Sequence, residues 1–410
     1  MINKALLYKR KVIKELCFGN ILSALDISVR IEKSLPLTTR IINELVEEEI
    51  LQESGYASST GGRKPLMYSL VAEKMYVVSV AMDQLVTRIG IIDLQSCDVS
   101  SLKKYNLILP HNQQALPTLL KYIKEFIEKS GIERSKIIGV GIGMPGFVDV
   151  DKGINYSFMD NEKTSIPAYI EQVINIPVFM DNDSSLIALT ELKLGSARGR
   201  KNAMVINFGW GVGLGMIING KIFRGNNGFA GEFSHIPLFD NNKLCSCGKS
   251  GCLETEASLK AVVEKAVEAL KNGKLSILSH LPSDHYELAL EAIVAAAGKG
   301  DKFCVELLSE AGYHIGRGVA ILIHLLNPSV IILSGRGASA GKIWQAPIQQ
   351  ALNEHCIPRL AANTGIAVSE LGYNAELIGA AALVMENYER NTSKHYTIHD
   401  TEEHEYAINN

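Results

Sequence analysis

The 410-residue sequence has little net charge, few aromatic residues and no long apolar run. Its 41 basic and 44 acidic residues leave a net charge of −3, which does not favour a nucleic acid or a membrane as partner of the whole chain. The most apolar stretch, residues 318–333, is interrupted by His324 and Asn327-Pro328, whereas a membrane-spanning helix needs roughly 20 apolar residues. No apolar run follows the basic residues 9–11, so we expect no secretory signal and a soluble, cytoplasmic protein without a membrane partner.

The composition also excludes a chain that is disordered as a whole. Apolar residues make up 47% of the sequence and charged residues 21%, whereas disordered chains combine low hydrophobicity with high net charge. A length of 410 residues predicts two or three domains with a large core. Only the polar segment 389–410 is expected to be disordered.

The sequence has only seven cysteines, and three of them lie within eight residues, at Cys245, Cys247 and Cys252. In a long chain without a secretory signal, such a cluster indicates a metal site more often than disulfides. His235 precedes the cluster by ten residues, and one imidazole with three thiolates is a usual tetrahedral zinc set. Four protein ligands leave no position for catalytic water, so we predict a structural zinc ion at these residues. Reduced thiols without a metal are the alternative.

Residues 1–71 have the pattern of a winged helix-turn-helix. Apolar residues repeat at helical spacing over 4–18 and 21–31, and Ser34-Leu35-Pro36 predicts the start of a third helix over 37–48. Two strand-like runs follow, and the segment between them is rich in glycine and small polar residues, as is typical of an exposed loop. Three short helices and a two-stranded wing form a common DNA-binding module.

The candidate DNA contacts are polar residues near the start of the third helix and in the wing. We expect contacts with base edges and phosphates from Thr38, Thr39, Arg40 and Asn43 on the outer face of the helix, and from Arg63 and Lys64 in the wing. The ten basic and eight acidic residues of this segment are a weak basic footprint, but the acids concentrate at 47–49, away from the reading end. An oligomerisation cap or a protein-docking module is the alternative.

From residue 75 the pattern changes to alternating strands and helices. The first cycle comprises strands at 77–81 and 87–93, which could pair as a hairpin, a helix at 116–129 and a strand at 137–142. The second comprises a strand at 177–181, a helix at 184–194 and strands at 203–208 and 215–218. Helices then extend to about residue 326, followed by a buried strand at 329–333 and a last helix at 375–386.

Two such cycles predict two α/β lobes around a cleft. The pattern assigns residues 72–185 and 374–388 to a small lobe and residues 186–373, with the cysteine cluster, to a large lobe. Open α/β sheets bind ligands at the carboxyl ends of their strands. The strand at 137–142 ends in Gly143-Met144-Pro145-Gly146, so Gly146 is a candidate ligand contact.

Polar residues at two further places are expected to face this cleft. Asn182 and Asp183 directly follow a buried strand, and Glu232 and Glu254 flank the cysteine cluster together with His235. Carboxylates, an amide and an imidazole suit the vicinal hydroxyls of a sugar, which offer both donors and acceptors. Each of these acids could instead be a solvated surface residue, but their convergence on one cleft favours a binding site.

These motifs together resemble the ROK family, named for repressors, open reading frames and kinases. The resemblance runs from residue 12 to about residue 387. Its most specific parts are Gly228-Phe229-Ala230-Gly231-Glu232-Phe233-Ser234-His235 and Cys245-Ser246-Cys247-Gly248-Lys249-Ser250-Gly251-Cys252-Leu253-Glu254. Further matches are Gly141-Ile142-Gly143-Met144-Pro145-Gly146, Asn182-Asp183, Asn327-Pro328 and residues 331–335.

The resemblance implies an N-terminal winged helix-turn-helix followed by a two-lobed actin/hexokinase-like fold. It also implies a structural zinc ion at His235, Cys245, Cys247 and Cys252 and a sugar in the cleft. The family pattern assigns the sugar hydroxyls to Asn182, Asp183, Glu232, His235 and Glu254, and Gly146 completes the candidate sugar site. In kinase members the residue at Asp183 is the general base for the phosphorylated hydroxyl.

Departures from the kinase pattern favour a repressor. The Asp-x-Gly-Gly-Thr phosphate loop of kinases corresponds here to Ala81-Met82-Asp83-Gln84-Leu85, the second loop reads Gly209-Trp210-Gly211, and the double glycine of the adenosine site reads Ser334-Gly335. Phosphoryl transfer depends on positioning the phosphates and neutralising their charge, so we expect most of the kinase rate to be lost, with at most residual activity, and treat Asp183 as a vestigial base. The glycine-rich run 209–215 could cradle a phosphate, but Trp210 argues against it.

The sequence therefore predicts a sugar-responsive repressor. A dimer or tetramer would present two heads to a palindromic, AT-rich operator, and a sugar or sugar phosphate between the lobes would change the spacing of the heads and release the DNA. One alternative is an ATP-dependent sugar kinase with a regulatory DNA-binding head, and another is a repressor whose cleft binds only a partner protein. Glucose, N-acetylglucosamine, xylose and a phosphorylated derivative fit the polar residues equally.

Overall fold

The N-terminal part of the chain folds as three helices and a three-stranded sheet, which we call the head. The computed structural model describes residues 4–58, 64–159, 164–283 and 285–390. The head comprises α1 (Lys4–Leu16), β1 (Leu22–Ser23), α2 (Ala24–Arg30), α3 (Leu35–Glu47), β2 (Leu51–Tyr56) and β3 (Leu66–Leu70). Strands β2 and β3 form an antiparallel hairpin, and β1 pairs antiparallel with β3. The predicted winged helix-turn-helix is confirmed.

Local sequence signals start two of the head helices. At α2 the Ser23 hydroxyl accepts a hydrogen bond from the Asp26 amide (3.1 Å) and the Asp26 carboxylate accepts one from the Ser23 amide (3.1 Å), which satisfies two otherwise free donors. Helix α3 begins after Ser34 with Pro36 in its first turn, although the Ser34 side chain makes no capping bond. Its apolar face is buried in the head and comprises Ile41, Ile42 and Leu45.

The small lobe is a five-stranded mixed sheet. Its elements are β4 (Tyr76–Met82), β5 (Val86–Asp93), β6 (Val99–Asn106), α4 (Ala115–Lys129), β7 (Ile137–Met144), β8 (Val148–Asp149), β9 (Ile154–Asn155), α5 (Ile166–Ile174) and β10 (Val178–Asn182). The strand order is β10-β7-β4-β5-β6, in which β10, β7 and β4 are parallel neighbours and β5 pairs antiparallel with both β4 and β6. The predicted hairpin of β4 and β5 is confirmed. The sequence pattern does not predict β6, because this mostly exposed strand lacks an alternation of apolar and polar residues.

The large lobe repeats the same sheet plan. Its elements are α6 (Asp183–Lys193), β11 (Ala203–Phe208), β12 (Val212–Ile218), β13 (Lys221–Phe223), α7 (Glu254–Ala257), α8 (Leu259–Lys271), α9 (Tyr286–Gly298), α10 (Lys302–Leu326), β14 (Val330–Ser334), α11 (Gln345–His355), α12 (Pro358–Ala361) and β15 (Gly365–Val368). In the order β13-β12-β11-β14-β15, the strands β11, β14 and β15 are again parallel neighbours, and β12 pairs antiparallel with both β11 and β13. This repetition agrees with the two predicted α/β cycles. The last helix is α13 (Ala375–Asn387).

The glycine-rich run 209–215 is mostly strand rather than a phosphate-binding turn. Strand β12 already begins at Val212, so the turn comprises only 209–211. A β-carbon at Gly213 would overlap the Ser184 hydroxyl, and one at Gly215 would overlap Ala188. These glycines therefore allow α6 to pack closely against β12, which corrects the phosphate-cradle interpretation for this part of the run.

Two helices connect the lobes. Helix α6 packs on the sheet of the large lobe, and α13 packs on the sheet of the small lobe. The two helices also pack on each other at backbone distance: a β-carbon at Gly379 would overlap the Leu186 carbonyl group, and Thr190 Oγ1 donates to the Ala375 carbonyl oxygen (2.6 Å). The pair is therefore a tightly packed joint between the sheets.

The head and the small lobe share one hydrophobic core. Buried side chains of α1 and α3 share a cluster with α13 and with the face of the small-lobe sheet on which α13 packs. This shared core includes Ile13, Leu16, Ile42, Leu45, Val77, Ile92, Val384 and Tyr388. Because close-packed cores resist deformation, we expect the head and the small lobe to move as one body.

Contacts with α1 also hold the end of α13. Arg10 donates to the Tyr388 carbonyl oxygen (3.3 Å), and Lys14 pairs with Glu389 (3.4 Å) in the 3-10 turn Tyr388–Arg390. The prediction of disorder from residue 389 is therefore wrong for Glu389 and Arg390, and residues 391–410 lie outside the described part of the chain. Within that part, no helix has the length and apolarity to cross a membrane.

Candidate functional site

The first polar residues of the candidate site lie at the carboxyl ends of two neighbouring parallel strands. Asn182 ends β10 and caps α6, where its Oδ1 accepts hydrogen bonds from the amides of Ser184 (2.9 Å) and Ser185 (3.2 Å). Its Nδ2 donates to the carbonyl oxygen of Gly146, which lies in the turn after β7 (3.1 Å). Because β7 and β10 are parallel neighbours, their ends meet at one edge of the sheet and bring Asn182 and Gly146 into contact.

Asp183 lies between the two lobes. It is the first residue of α6, and its Oδ2 accepts a hydrogen bond from Asn207 Nδ2 at the end of β11 (3.0 Å). Burial raises the pKa of Asp183 to about 6, hydrogen bonds from Ser184 oppose this shift, and the charges of Asp83 and Glu232 add to it. Asn207 is a positioning residue that the sequence analysis misses, although its place at the end of a buried strand could have indicated it.

The remaining candidates surround the cysteine cluster. Glu232 precedes a 3-10 turn that ends at His235, and its carboxylate lies 3.7 Å from His235 Nε2. Burial raises the pKa of Glu232, the nearby His235 opposes this shift and the charge of Glu254 adds to it. Glu254 accepts a hydrogen bond from the Val212 amide (3.4 Å), and a β-carbon at Gly211 would lie 2.7 Å from its carboxylate. Glu232 thus contacts His235 directly, and it interacts through its charge with both Asp183 and Glu254.

A buried ion pair beside the site also escapes the sequence analysis. Arg224 donates from Nη2 (2.5 Å) and Nε (3.1 Å) to Asp181, which is only 1% exposed. The pair ties the loop before Glu232 to the end of β10. A buried acid at the end of a strand needs a counter-charge. This requirement could have indicated from the sequence that Asp181 pairs with a basic residue.

The predicted metal ligands meet in one cluster. The ligand atoms of His235, Cys245, Cys247 and Cys252 all lie within 4.8 Å of one another. His235 Nδ1 is 3.4 Å from Cys245 Sγ, and Cys247 Sγ is 3.7 Å from Cys252 Sγ. Thiolates about 2.3 Å from a tetrahedral zinc ion would lie about 3.8 Å apart, so these spacings fit the ion. Since Nδ1 faces the cluster and Nε2 faces Glu232, one imidazole can serve both.

The segment that corresponds to the first kinase phosphate loop is a tight turn between β4 and β5. Asp83 Oδ1 accepts hydrogen bonds from the amides of Leu85 (2.8 Å) and Val86 (2.7 Å). Its Oδ2 accepts a hydrogen bond from Arg336, which follows β14 in the large lobe (3.0 Å). The Arg336 guanidinium lies 4.7 Å from the centre of the Trp210 ring. Side chains of this chain therefore occupy the region between the turn at Asp83 and the loop at Trp210.

The candidate DNA contacts on α3 are not all on its outer face. Arg40 and Asn43 are exposed and Thr39 is half-buried, as expected for a reading face. Thr38 is fully buried, and its hydroxyl donates to the Ser34 carbonyl oxygen (3.1 Å). Thr38 is therefore corrected from a DNA contact to a core residue of the helix, because position 38 lies three residues before Ile41 and four before Ile42 on the buried face. In the wing, Lys64 is exposed, and Arg63 lies outside the described residues.

Comparison with known proteins identifies the family. The family model described as ROK family matches residues 87–387. The chain belongs to the ROK family. Its ROK relatives include a glucokinase from Halalkalibacterium halodurans, 34% identical over 67% of this chain and 86% of the relative. The transcriptional dual regulator NagC of Escherichia coli is 29% identical over 88% of each chain, and the xylose repressor of Caldicellulosiruptor bescii is 28% identical over 94% of this chain and 95% of its own.

A solved ROK structure is similar along nearly the whole chain. It is a ROK family transcriptional regulator, a homologue of the Escherichia coli protein MLC, with 25% identity and a TM-score of 0.75 over 94% of this chain and 97% of its own. Coverage of 94% must include most of the head, whereas the similarity to the glucokinase spans 67% of the chain. The resemblance to ROK regulators is confirmed, and contacts with a sugar or DNA stay predictions.

Proposed function

We propose that this chain is a sugar-responsive transcriptional repressor that releases operator DNA when a sugar enters the cleft. The observation that carries this proposal is the hydrophobic core shared by the head and the small lobe. A sugar that changes the angle between the lobes would turn the head with the small lobe. Relatives named as an N-acetylglucosamine repressor and a xylose repressor, aligned over most of the chain, support the same function.

The sugar would bind at the edge where the two lobes meet. Asn182, Asp183 and Glu254 offer acceptors for sugar hydroxyls, with Glu232 and His235 beside them and Gly146 at the end of β7. A hydrogen bond from Asn207 of β11 already orients Asp183, and bonds with the first amides of α6 and the Gly146 carbonyl orient Asn182, so little side-chain entropy is lost on binding. Gly146 and Asn182 lie on the small lobe, whereas the residues around the cysteine cluster lie on the large lobe. A sugar that contacts both lobes would therefore favour one angle between them over others.

The head would bind DNA as part of a homodimer or homotetramer. Thr39, Arg40 and Asn43 of α3 would contact the major groove, and Arg63 and Lys64 of the wing would contact an adjacent, AT-rich minor groove. Two heads would match the half-sites of a palindromic operator. A change in head spacing that costs about 1–3 kcal/mol of operator binding is enough for induction.

We also propose that the cluster of His235, Cys245, Cys247 and Cys252 holds a structural zinc ion. A zinc ion with four protein ligands supplies folding energy rather than an activated water. Around it, His235 holds its second nitrogen toward Glu232, and Cys252 precedes Glu254 by two residues, so the metal-bound loop would fix two acids of the sugar site. Holding these acids in place would explain why a structural zinc site, which activates no water, lies beside a ligand-binding cleft.

An ATP-dependent sugar kinase with a regulatory head is the second candidate. The retained Asp183, with a pKa raised to about 6, and the similarity to a glucokinase favour it. The turn at Asp83, closed by its own carboxylate, and the Arg336 side chain beside Trp210 oppose it. A coupled ADP-release assay across hexoses, pentoses and amino sugars separates the two, because sustained turnover contradicts a pure repressor.

The decisive experiment measures DNA release by sugars. Duplexes selected from a random library by the full-length protein would supply the operator, and fluorescence anisotropy would follow its binding. A thermal-shift screen of mono- and disaccharides would supply the effector, because a ligand of the folded state raises the melting temperature. We expect the best sugar to lower operator affinity at least tenfold. Unchanged affinity at saturating sugar contradicts the proposed coupling.

A further inference from the structure

The segments that correspond to the kinase phosphate loops meet around a single arginine. Arg336 is 9% exposed and pairs with Asp83 (3.0 Å) from the small lobe and with Glu287 (2.5 Å) from α9 of the large lobe. Its guanidinium lies between two aromatic rings, with the centre of Trp210 at 4.7 Å and that of Tyr373 at 4.2 Å. This cluster of Asp83, Glu287 and Arg336, which we call the latch, spans both lobes.

The Asp83 carboxylate of the latch occupies two backbone amides of the turn that corresponds to the first kinase phosphate loop. The amides that could face a phosphate there, at Leu85 and Val86, already donate to the Asp83 carboxylate (2.8 and 2.7 Å). A carboxylate of the chain thus takes the place of an anionic ligand, and Arg336 neutralises it. A phosphate could bind these amides only by displacing the Asp83 carboxylate, and the two negative charges would repel each other.

The cations around this part of the cleft are paired as well. Among the described residues, Lys104 pairs with Glu287, Arg88 pairs with the buried Glu376 (3.5 Å), and Arg224 pairs with Asp181 (2.5 Å). The candidate sugar site itself contributes further acids, Asp183, Glu232 and Glu254. Arg336 lies over the Trp210 ring, and a β-carbon at the next residue, Gly211, would lie 2.7 Å from the Glu254 carboxylate, so the latch borders the candidate sugar site.

We infer that the latch closes the nucleotide side of the cleft and that the effector is an uncharged, unphosphorylated saccharide. This inference rests on the proposed sugar-sensing function and narrows its effector from any sugar or sugar phosphate to a neutral one. A phosphate ester carries a charge of about −1.5 to −2 at neutral pH. In the cleft it would meet the carboxylates of Asp83, Glu232 and Glu254, and the cations named above among the described residues are already paired with other acids.

Calorimetric titration of the full-length protein with matched pairs tests the inference. The probes are glucose, N-acetylglucosamine and xylose, each beside glucose 6-phosphate, N-acetylglucosamine 6-phosphate and xylose 1-phosphate. We expect at least one parent sugar to bind, at least tenfold more tightly than its ester. An ester that binds as tightly as its parent overturns the neutral effector but leaves sugar sensing intact. Binding by none of the six overturns both.

A charge-neutral variant of the latch tests its role directly. Asp83→Asn combined with Glu287→Gln keeps the shapes and the capping oxygen of residue 83 while releasing the charges of Arg336 and Lys104. We expect the affinity for the ester of the best parent sugar to rise at least tenfold and that for the parent sugar to change by less than threefold. The control, Glu268→Gln with Glu306→Gln, removes two exposed carboxylates outside the cleft and should change neither affinity. An unchanged ester affinity in the latch variant contradicts the inference.

Discussion

At the scale of single residues, the cleft controls the ionisation of its acids. Asp183 and Glu232 approach each other from different segments, and partial loss of their hydration raises the pKa of both above the ordinary range. The sequence indicates which acids could converge, but their ionisation depends on contacts between strands far apart in the chain. The Asn207 amide and the Asp83 carboxylate, both near Asp183, belong to different lobes.

The raised pKa of Asp183 predicts a pH dependence of sugar binding. Its folded value of about 6 lies above the ordinary 3.8, so stability from the protonated form is complete below pH 3.8 and is lost as the pH rises through 6. The charged form accepts hydrogen bonds from sugar hydroxyls more strongly. Calorimetry should therefore show sugar affinity rising from pH 5 to pH 7.5, with a smaller change in Asp183→Asn. Tighter binding of the wild type at pH 5 contradicts this role.

The exposed face of α3 predicts that Arg40 contributes to DNA binding. The Arg40 side chain is 69% exposed, and its only ion pair among those described is with Glu44, four residues along the same helix. Arg40→Ala should weaken operator binding by about 1–3 kcal/mol in an anisotropy titration, while sugar affinity stays unchanged. Arg359→Ala, which removes an exposed arginine of the large lobe, is the control. Equal effects of the two variants would mean that α3 is not the reading helix.

At the scale of elements, glycine positions record close packing between helices and strands. Gly379 of α13 faces α6, and Gly213 and Gly215 of β12 face the same helix. Sequence patterns identify these segments as helix and strand but do not reveal which glycines touch another backbone. The sequence does not distinguish a glycine needed for a loop from a glycine needed for close packing. The alternating glycines of 209–215 therefore resemble a phosphate-binding turn.

A matched pair of glycine substitutions tests the α6–α13 joint. Alanine favours a helix by about 1 kcal/mol over glycine, so a substitution in open space should stabilise. Gly298→Ala in α9 meets no atom within 4 Å and should raise stability by up to about 1 kcal/mol. Gly379→Ala would collide with the Leu186 carbonyl group and should lower stability by about 1–3 kcal/mol. Denaturant unfolding measures both, and stabilisation by Gly379→Ala would show that the joint can open.

The cysteine loop predicts a metal-dependent sugar site. Cys252→Ser should remove the zinc detected by elemental analysis, lower the melting temperature and weaken sugar binding at least tenfold, because Glu232 and Glu254 lose their support. Cys97→Ser alters a cysteine far outside the cluster and should retain one zinc ion per chain. A Cys252→Ser protein that binds sugar normally would separate the loop from the site.

At the scale of the whole molecule, the arrangement of three units decides how a signal can travel. The head is fused to the small lobe by a common core, whereas the large lobe meets the small lobe at the α6–α13 joint and the latch. Rigid-body rotation of one lobe against the other is a common way to couple distant sites. The head would then report the lobe angle directly, without a separate linker.

Distances between probes test this rigid-body scheme. Probes introduced as unnatural amino acids at exposed positions Glu47 of the head, Lys121 of the small lobe and Lys302 of the large lobe give two pairs. Saturating sugar should leave the 47–121 distance unchanged and shift the 47–302 distance by several ångströms in a pulsed spin-resonance measurement. A shift in the 47–121 pair would mean that the head moves on the small lobe instead.

Much of the molecule follows from its sequence. Apolar periodicity identifies the helices of the head and nearly every buried strand, since a side chain's preference for water or core is a local property. Residue chemistry and spacing indicate the proposed zinc ligands, whose side chains meet in one cluster, and the family resemblance adds the candidate sugar residues, which stay predictions. Edge strand β6 escapes because it is exposed and polar, and Thr38 is misassigned because the phase of α3 depends on what it packs against.

The long-range pairings depend on tertiary structure alone. Asp83 and Arg336 are 253 residues apart, and no local pattern indicates that they meet where a kinase would hold phosphate. The same holds for Asn207 beside Asp183 and for the core that fuses the head to the small lobe. Residue type and spacing determine which groups are available, and chain folding determines which of them lie within bonding distance, because electrostatic and hydrogen-bond energies depend on separation in space.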